Sequence, residues 1–572
     1  MFTFKSMYRR LYSSVTILLF LCLQAFLGVE FTLLHAQTVP VGSLQDEQLQ
    51  LNLLLQDSLN FGAINRPSTI DFYKDLINGE RSGSKWWLRP LYSSEVEVYP
   101  SVIIGASPIQ LQNSINSRLP YGDNNGAAWY GRGHTSEFSG GFYLKSDYVS
   151  LNLQPHIIYQ QNQDFLNPRF IPRDANGNIL YGAEGIGFRY DAPFRFGPDP
   201  YTTINPGHSS LRIHYSKAEI GLSTEPQWWG PMKRYPLMMS NNAPGLTHVF
   251  AGTREPVKLP WIGSLQVKWI GGYPEESDYY QGAGAGETRF VNMLNVTYTP
   301  SLFPNITLGA TRASYIYQDD GFSPSQVVDF FNIFKSSNSD NLQGNDAQDQ
   351  LASAYIYILF PGARAEVFAE FAREDFSLDT RDFLNEPTHN SGYAIGFQKL
   401  SDAPYVDFVK THLEFTNLTT SQLEQVRPQT YFYTHNRIRQ GNTNNGQIIG
   451  AAIGPGSNSQ FFAMDAYNDN IKVGFFAQRV VNNDNFHFDK GSRSLAPPRN
   501  FGDYFRHRVD LSFGLNFLYG PGPFYINGRM AWTKAYNYGR FDYGEFSGVT
   551  IQNYERKDRS NVHLQIGITY IL

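Results

Sequence analysis

Alternation of apolar and polar residues with a period of two runs through most of this chain and limits what it can fold into. The last eleven residues, 562–572, show it most clearly. One face carries Val562, Leu564, Ile566, Ile568, Tyr570 and Leu572, and the other carries His563, Gln565, Gly567 and Thr569. Because successive side chains of a β-strand point to opposite faces, such a run predicts a strand with one apolar face. Its length is that of a tilted membrane-spanning strand, about 9–11 residues.

Similar runs recur from about residue 94 to the end of the chain. They lie at 148–159, 211–223, 291–299, 306–317, 355–360, 365–373, 393–400, 409–418, 471–480, 508–519 and 524–534. If a strand and its connection take about 25–30 residues, this part of the chain holds about 16–18 strands, and we expect about eighteen. The pattern predicts an all-β fold, an antiparallel transmembrane β-barrel over residues 92–572.

Composition favours such a barrel over a soluble exported β protein. Aromatic residues make up 15% of the chain, yet its mean hydropathy is only -0.36. A membrane barrel combines these features because its aromatic side chains form outer girdles while its lumen is polar. A net charge of -5 argues against a nucleic-acid partner. After the first 36 residues, no stretch approaches the ~20 apolar residues of a membrane helix.

The first 91 residues do not alternate in this way. Residues 1–36 predict a secretory signal peptide, because basic residues precede an apolar core and Ala36 provides a small residue for cleavage. The residues before Cys22 do not favour a lipoprotein. The mature chain would therefore contain no cysteine, since Cys22 is the only one. We expect it in the outer membrane of a Gram-negative-type bacterium.

Residues 37–91 predict a short N-terminal helical segment. Ser43 is placed to cap a first helix that ends before Gly62, and a second helix is predicted at 67–78 with Pro67 at its start. Because this segment emerges first after the signal peptide, we expect it on the periplasmic side, against the near end of the barrel. Long polar connections predict external loops at 336–350, 440–460 and 481–502, and the composition of the second indicates mobility.

Motifs for catalysis or cofactor binding are absent from the sequence. We therefore predict no catalytic residue, no metal site and no cofactor. The glycine run at 282–286 lacks the strand and helix of a dinucleotide site and predicts a loop. Glu275, Glu276 and Asp278 could provide an acid pair for glycoside hydrolysis, but neighbouring acids after two glycines are more typical of a solvated loop.

One compact motif, QWWGPMKRYPLMMSNNAPG at residues 227–245, offers chemistry for binding sugars. Flat aromatic faces suit the apolar side of a pyranose, and planar donors and acceptors suit its hydroxyl groups. The candidate polysaccharide-binding residues are Trp228, Trp229, Lys233, Arg234, Asn241, Asn242 and, shortly after the motif, Arg254. Positive charge in this region would suit an acidic polymer.

A structural interpretation of the same residues stays open. Trp228 and Trp229 could pack, or could anchor the barrel at the membrane interface, as could Trp86, Trp87, Trp261 and Trp269. Arg234 and Arg254 could pair with acids inside the lumen, and the two asparagines could cap a turn.

The motif resembles the signature stretch of the capsule assembly proteins of the Wzi type, most strongly over residues 225–254. The order of predicted elements, a helical segment followed by a barrel, extends the resemblance over most of the mature chain. It implies an outer-membrane barrel with lectin-like affinity for capsular or other surface polysaccharide, which helps to attach or assemble that polymer at the cell surface. It also implies outer-membrane lipid and the polysaccharide export machinery as partners. The alternation alone also allows a porin-like diffusion channel for oligosaccharides or small solutes.

Overall fold

A computed structural model describes residues 38–55, 64–69, 85–89, 95–165, 181, 190–318, 348–374, 384–385, 387–419, 431–482, 508–538 and 558–571. The predicted signal peptide at 1–36 lies outside the described residues. So do most of the predicted external loops at 336–350 and 481–502.

The described elements are nearly all β-strands. In chain order they are β1 (Thr38–Val39), α1 (Leu44–Leu55), β2 (Asn65–Arg66), β3 (Ser68–Thr69), a 3-10 turn (Trp86–Leu88), β4 (Glu95–Tyr99), β5 (Val102–Asn116), β6 (Gly133–Lys145), β7 (Val149–Leu153), β8 (His156–Gln160), β9 (Tyr201–Asn205), β10 (Ser210–Tyr215), β11 (Ala218–Ser223), β12 (Trp228–Trp229), β13 (Thr247–Thr253), β14 (Val257–Leu259), β15 (Gly263–Tyr273), β16 (Arg289–Pro300), β17 (Ile306–Tyr317), β18 (Asp349–Phe360), β19 (Ala365–Glu374), β20 (Ser391–Ala403), β21 (Val406–Asn417), β22 (Thr443–Asn444), β23 (Gln447–Ile448), β24 (Asn458–Asn468), β25 (Ile471–Val481), β26 (Val509–Tyr519), β27 (Phe524–Tyr536) and β28 (Arg559–Tyr570).

The wall is one antiparallel sheet that closes on itself. Each wall strand pairs with its neighbour in sequence, and β28 returns to β5 with His563 opposite Asn116 and Tyr570 opposite Ile109. Three wall strands are interrupted and consist of β7 with β8, β9 with β10, and β13 with β14. Counted in this way, the described residues form a closed barrel of eighteen strands, which confirms the predicted fold class.

Side chains alternate across the wall as the sequence predicted. On β10, Leu211 and Ile213 are 47% and 55% exposed, whereas Arg212 and His214 are buried. On β28, Leu564 and Ile566 face outward, and His563 is buried. An apolar outer band around a polar lumen is the arrangement that places a barrel in a membrane, because lipid contacts the outer face and the polar groups find partners inside.

The two ends of the barrel differ in the length of their connections. Strand pairs such as β14–β15 and β20–β21 are joined by tight turns at one end, while connections of up to tens of residues join strands at the other. Outer-membrane barrels keep short turns on the periplasmic side, so the short-turn end is periplasmic. Trp261 and Tyr405 are almost fully exposed in these turns, a position typical of interfacial aromatic residues. Among the described helices, none is long and apolar enough to cross a membrane.

The first predicted helix is present, and it lies inside the barrel. It begins at Leu44, and the Ser43 hydroxyl accepts the backbone N–H of Asp46 at 3.2 Å, which is the predicted cap. The Glu47 carboxylate binds Lys472 Nζ at 2.6 Å, next to the short turn that precedes β25. The helix therefore lies in the lumen near the periplasmic end of the barrel. There its Glu47 pairs with a lysine of the wall.

The second predicted helix does not begin at Pro67. Ser68 and Thr69 instead form β3, which pairs with Thr38 and Val39 of β1. Residues 70–78 of that prediction lie outside the described residues. Proline fits the first turn of a helix, but here a long-range backbone partner outweighed the local preference.

Trp86 and Trp87 are buried inside the barrel, so the interpretation of these two residues as interface anchors is wrong. Trp86 stacks on Tyr467 with ring centroids 6.2 Å apart, and Trp87 contacts Phe408 edge to face at 5.3 Å. Side chains of α1 hold the backbone here, because Gln48 donates to the Trp86 carbonyl at 2.6 Å. The aromatic cluster fills the lumen near its periplasmic end.

The predicted loop at 440–460 does connect strands at the long-loop end, but it folds inward. It contains the β22–β23 hairpin, and Gln440, Thr443 and Asn444 are fully buried. Asn444 Nδ2 donates to the Pro244 carbonyl at 2.9 Å. Its many amides therefore serve as internal hydrogen-bonding groups, and the expectation that this connection projects outward as an external loop is wrong.

Candidate functional site

The predicted binding motif lies in the connection between β11 and β13, residues 224–246, which we call the inner loop. This connection starts at the long-loop end and folds into the lumen. Within it, β12 pairs with β2 of the N-terminal segment, with Trp228 opposite Arg66 and Trp229 opposite Asn65. The inner loop and the N-terminal segment share one hydrophobic cluster with inward side chains of the wall. The chain thus fills much of its own lumen.

Two wall carboxylates fix the inner loop through its backbone. Glu414 of β21 accepts the N–H groups of Lys233 and Arg234 at 3.0 Å and that of Tyr235 at 2.7 Å. Glu370 of β19 accepts the N–H of Leu237 at 3.0 Å. Successive backbone N–H groups form a favourable site for an anion, so the inner loop itself compensates the buried carboxylate of Glu414.

Trp228 and Trp229 pack inside the protein. Trp228 Nε1 donates to the Met232 carbonyl at 2.8 Å, and the Arg66 guanidinium lies 4.3 Å from the centroid of the Trp228 ring. Trp229 is fully buried. Neither tryptophan lies at the membrane interface, so the packing interpretation describes their position in this structure.

The two cations of the motif pair with acids inside the lumen. Arg234 binds Asp123 Oδ2 at 2.8 Å, and its guanidinium lies 4.3 Å from the Phe461 ring centroid. Lys233 Nζ lies 3.2 Å from Glu366. Burial alone would raise the pKa of Asp123, but Arg234 and other partners outweigh burial and hold that pKa below its usual range.

The remaining predicted residues also hold the structure together. Asn241 Nδ2 donates to the carbonyls of Val41 and Asn124 at 3.4 and 3.3 Å, and Asn242 Nδ2 donates to that of Ile448 at 3.0 Å. Farther away, Arg254 lies in the wall between β13 and β14, with its guanidinium 2.9 Å from His214 Nδ1. Arg254 is therefore not part of the same local group.

A polar cavity of about 490 Å³ lies between α1, the inner loop and the wall. Lys233 and Asn241 line this cavity, whereas Trp228, Trp229, Arg234, Asn242 and Arg254 do not. Sequence reasoning missed most of its amide lining, which comes from Gln110, Gln112, Gln154, Asn205, Asn516, Asn527 and Gln565. These residues occupy inward positions, and amides recurring at the polar positions of alternating strands are the signal that could have indicated them.

Two of the three neighbouring acids, Glu275 and Glu276, bind adjacent loops. Glu276 accepts from Gln440 Nε2 at 2.7 Å and from the Gly286 N–H at 3.1 Å, and Glu275 accepts from Asn445 Nδ2 at 3.1 Å. This supports the loop interpretation. In the part of the chain that the structure describes, no group of three or more His, Cys, Asp or Glu side chains is arranged to hold a metal ion.

The fold and this lumen define an outer-membrane β-barrel whose interior is occupied by its own loop and N-terminal segment. Its sequence matches the family described as capsule assembly protein Wzi over residues 105–473. The chain belongs to that family, which confirms the resemblance. No curated protein matches the chain.

The fold is also found in a solved structure. The barrel is similar to Wzi of Escherichia coli, an outer-membrane protein involved in group 1 capsule assembly and described as a carbohydrate-binding β-barrel. That likeness has 13% identity and a TM-score of 0.58, and covers 94% of this chain and 100% of the other. More distant is OprD of Pseudomonas aeruginosa, at 10% identity and a TM-score of 0.37 over 81% of this chain and 92% of the other. The likeness to Wzi, at 13% identity, shows the shared fold alone, and the OprD likeness is too weak to carry an argument.

Proposed function

We propose that this protein binds capsular or related surface polysaccharide without chemical conversion and helps to attach or assemble that polymer at the cell surface. Membership of the capsule assembly family supports the biological setting. The observation that carries the binding proposal is the occupied lumen, in which the inner loop and α1 leave an amide-lined cavity of about 490 Å³.

The contacts inside the lumen favour binding over diffusion. A porin needs a continuous aqueous path through the barrel. Here Glu414 and Glu370 fix the inner loop, and the Glu47–Lys472 ion pair holds α1 to the wall. Because these contacts link both the inner loop and α1 to the wall, a wide path would require several interactions inside the lumen to break together. We therefore expect no steady large single-channel steps in planar bilayers.

The chemistry of the cavity suits a hydroxyl-rich ligand. Amide side chains both donate and accept hydrogen bonds, which matches the dual character of sugar hydroxyls. Tyr130 and Tyr525 add aromatic surface to the lining. The volume falls within the roughly 300–1,000 Å³ typical of small-molecule sites, so the cavity would take a short segment of a polymer.

The polysaccharide export machinery is the protein partner that we propose for this barrel. A capsule assembly role requires polymer to arrive from the cell interior before it is organised outside. Pull-down of the full chain from its host, with and without polymer synthesis, would test this contact separately from glycan binding.

The central experiment deletes the protein in its host and compares cell-bound with released surface polysaccharide. We expect more polymer in the medium while total synthesis is unchanged. Unchanged cell-bound polymer, together with large conductance steps from the purified barrel, would instead favour the diffusion channel. A second measurement passes host polysaccharide over immobilised folded protein, where failure to retain any would contradict direct binding.

A further inference from the structure

The basic side chains that line the lumenal cavity differ in whether a carboxylate lies close enough to form an ion pair. Among the described lining residues there are five, and four of them have a carboxylate within 4.0 Å. These pairs are Arg66 with Asp46 at 2.7 Å, Lys233 with Glu366 at 3.2 Å, Lys410 with Asp465 at 3.6 Å and Lys472 with Glu47 at 2.6 Å. The fifth is Arg529 of β27.

Arg529 makes no hydrogen bond or ion pair with any residue that the structure describes. Its Nε is buried without a partner, and its guanidinium lies 4.5 Å from the centroid of the Phe476 ring. The acid Asp123 attracts Arg529 electrostatically, but it lies beyond 4.0 Å and binds Arg234 at 2.8 Å, while Glu137 binds His156 at 3.0 Å. A partly buried guanidinium without an acceptor is unfavourable, so its position calls for an anion or for solvent.

Neutral amides surround this cation. Asn516 of β26 and Gln565 of β28 are the direct cross-strand neighbours of Arg529, and both line the cavity. Asn527 lies two residues earlier on the same face of β27. At Gly567, a Cβ would lie 2.5 Å from Asn527 Oδ1 and 2.9 Å from Gln112 Oε1. Glycine thus allows amides from β27 and β5 to approach each other on this wall.

The combination matches an acidic sugar. A guanidinium offers a planar pair of donors to a carboxylate, and flanking amides can bind ring hydroxyls. An inorganic anion would pair with the Arg529 guanidinium but would have no ring hydroxyls for the flanking amides to bind.

We propose that Arg529, Gln112, Asn516, Asn527 and Gln565, which we call the Arg529 cluster, form a subsite for a carboxylate-bearing sugar such as a hexuronic acid residue. This rests on the proposed polysaccharide-binding function and specifies the class of sugar. It also assigns recognition to residues of the barrel wall and not to Trp228 and Trp229.

The test uses full-length folded protein in detergent and trigalacturonate as the probe, with affinity measured by titration calorimetry. Arg529→Gln should weaken binding by about tenfold to a hundredfold, because it removes a charge-assisted donor pair. Arg529→Lys keeps the charge but loses the planar fork, so its loss should be smaller. The neutral trisaccharide maltotriose should bind weakly and equally to the wild type and Arg529→Gln.

Arg479→Gln is the matched control, because Arg479 is exposed and its guanidinium binds Asn458 and Gln460 outside the cavity. It should leave trigalacturonate affinity unchanged. Gel mobility of unheated samples should confirm that each variant is a folded barrel. Equal affinity of wild type and Arg529→Gln for trigalacturonate would overturn the proposal, as would its displacement by equimolar inorganic phosphate.

Retention of host polysaccharide distinguishes failure of the Arg529 subsite from failure of the proposed polysaccharide-binding function. Wild-type protein that retains host polymer but does not bind trigalacturonate would reject the Arg529 subsite and leave the proposed function standing. Wild-type protein that retains no host polymer would reject the proposed function itself. Weaker retention of host polymer by Arg529→Gln than by Arg479→Gln would support both.

Discussion

The carboxylate of Glu414 accepts the backbone N–H of Tyr235 at 2.7 Å, although 179 residues separate the two in sequence. Because the same carboxylate also accepts the N–H groups of Lys233 and Arg234, one wall residue fixes three successive residues of the inner loop. This attachment, together with the Glu370 contact to Leu237 and the pairing of β12 with β2, holds the tryptophan motif inside the barrel.

Replacing Glu414 by alanine should loosen the inner loop. The change leaves three N–H groups without their acceptor and should lower the free energy of unfolding by about 3 kcal/mol. Glu414→Gln keeps one acceptor oxygen and should cost less. Urea unfolding in lipid vesicles measures the difference, and planar bilayers should show current fluctuations for the alanine variant that the wild type lacks.

The control for that change is Glu97→Ala, since Glu97 is exposed and accepts only the N–H of Ser101 at 3.2 Å. Its effect should stay within about 0.5 kcal/mol. Equal losses for the two variants would mean that Glu414 does not fix the inner loop.

The Asp123–Arg234 pair should make stability depend on pH. Burial is the largest single influence and raises the pKa of Asp123, but Arg234, Arg529 and Tyr235 together outweigh it, and the folded-state pKa is lowered. A carboxyl with a depressed folded pKa stabilises the protein fully above its unfolded value of about 3.9. That contribution to stability is lost as pH falls from there through the folded pKa.

Urea unfolding between pH 6 and pH 3 should therefore show a steeper loss of unfolding free energy for wild type than for Asp123→Asn. Parallel curves would contradict the lowered pKa.

Trp86 and Trp261 provide a matched pair of tryptophans. Trp86 is fully buried against Tyr467 near the periplasmic end, whereas Trp261 is 96% exposed in a turn. Trp86→Ala should cost about 3–5 kcal/mol of unfolding free energy because it creates a cavity, and Trp261→Ala should cost less than about 0.5 kcal/mol. Denaturant unfolding curves of the two variants measure these free energies. A small effect of Trp86→Ala would show that the aromatic cluster does not stabilise the occupied lumen.

Gly245 closes the base of the inner loop. A Cβ there would lie 2.1 Å from the Thr224 carbonyl oxygen, so the two ends of the loop approach too closely for any larger residue. Gly245→Ala should destabilise by about 1–3 kcal/mol through overpacking. Gly522→Ala is the control, because a Cβ at Gly522 meets nothing within 4 Å. Thermal unfolding that ranks the two variants in the opposite order would show that the loop base can shift without cost.

Prediction of the site was less complete than prediction of the fold. The motif at 227–245 identified the family, and Lys233 and Asn241 do line the cavity. However, the amides that dominate the lining lie on strands far apart in sequence, such as Gln112 of β5 and Gln565 of β28. Each amide alone is an ordinary polar position of a barrel strand, so no local spacing marks the group.

The sequence by itself determined the barrel, a strand count of about 16–18 and the alternation of faces along its strands, as for Leu211 and Arg212, while the closed wall gave the count of eighteen. Period-two alternation is a local property, since neighbouring strand residues must point to opposite faces wherever the strand lies. Only the tertiary structure decided that the inner loop and α1 occupy the lumen and that Trp228 lies under Arg66. It also decided that Arg529 lines the cavity with no described carboxylate within 4.0 Å. These outcomes depend on hydrogen bonds, ion pairs and packing between distant segments, which exist only once the closed wall brings those segments together.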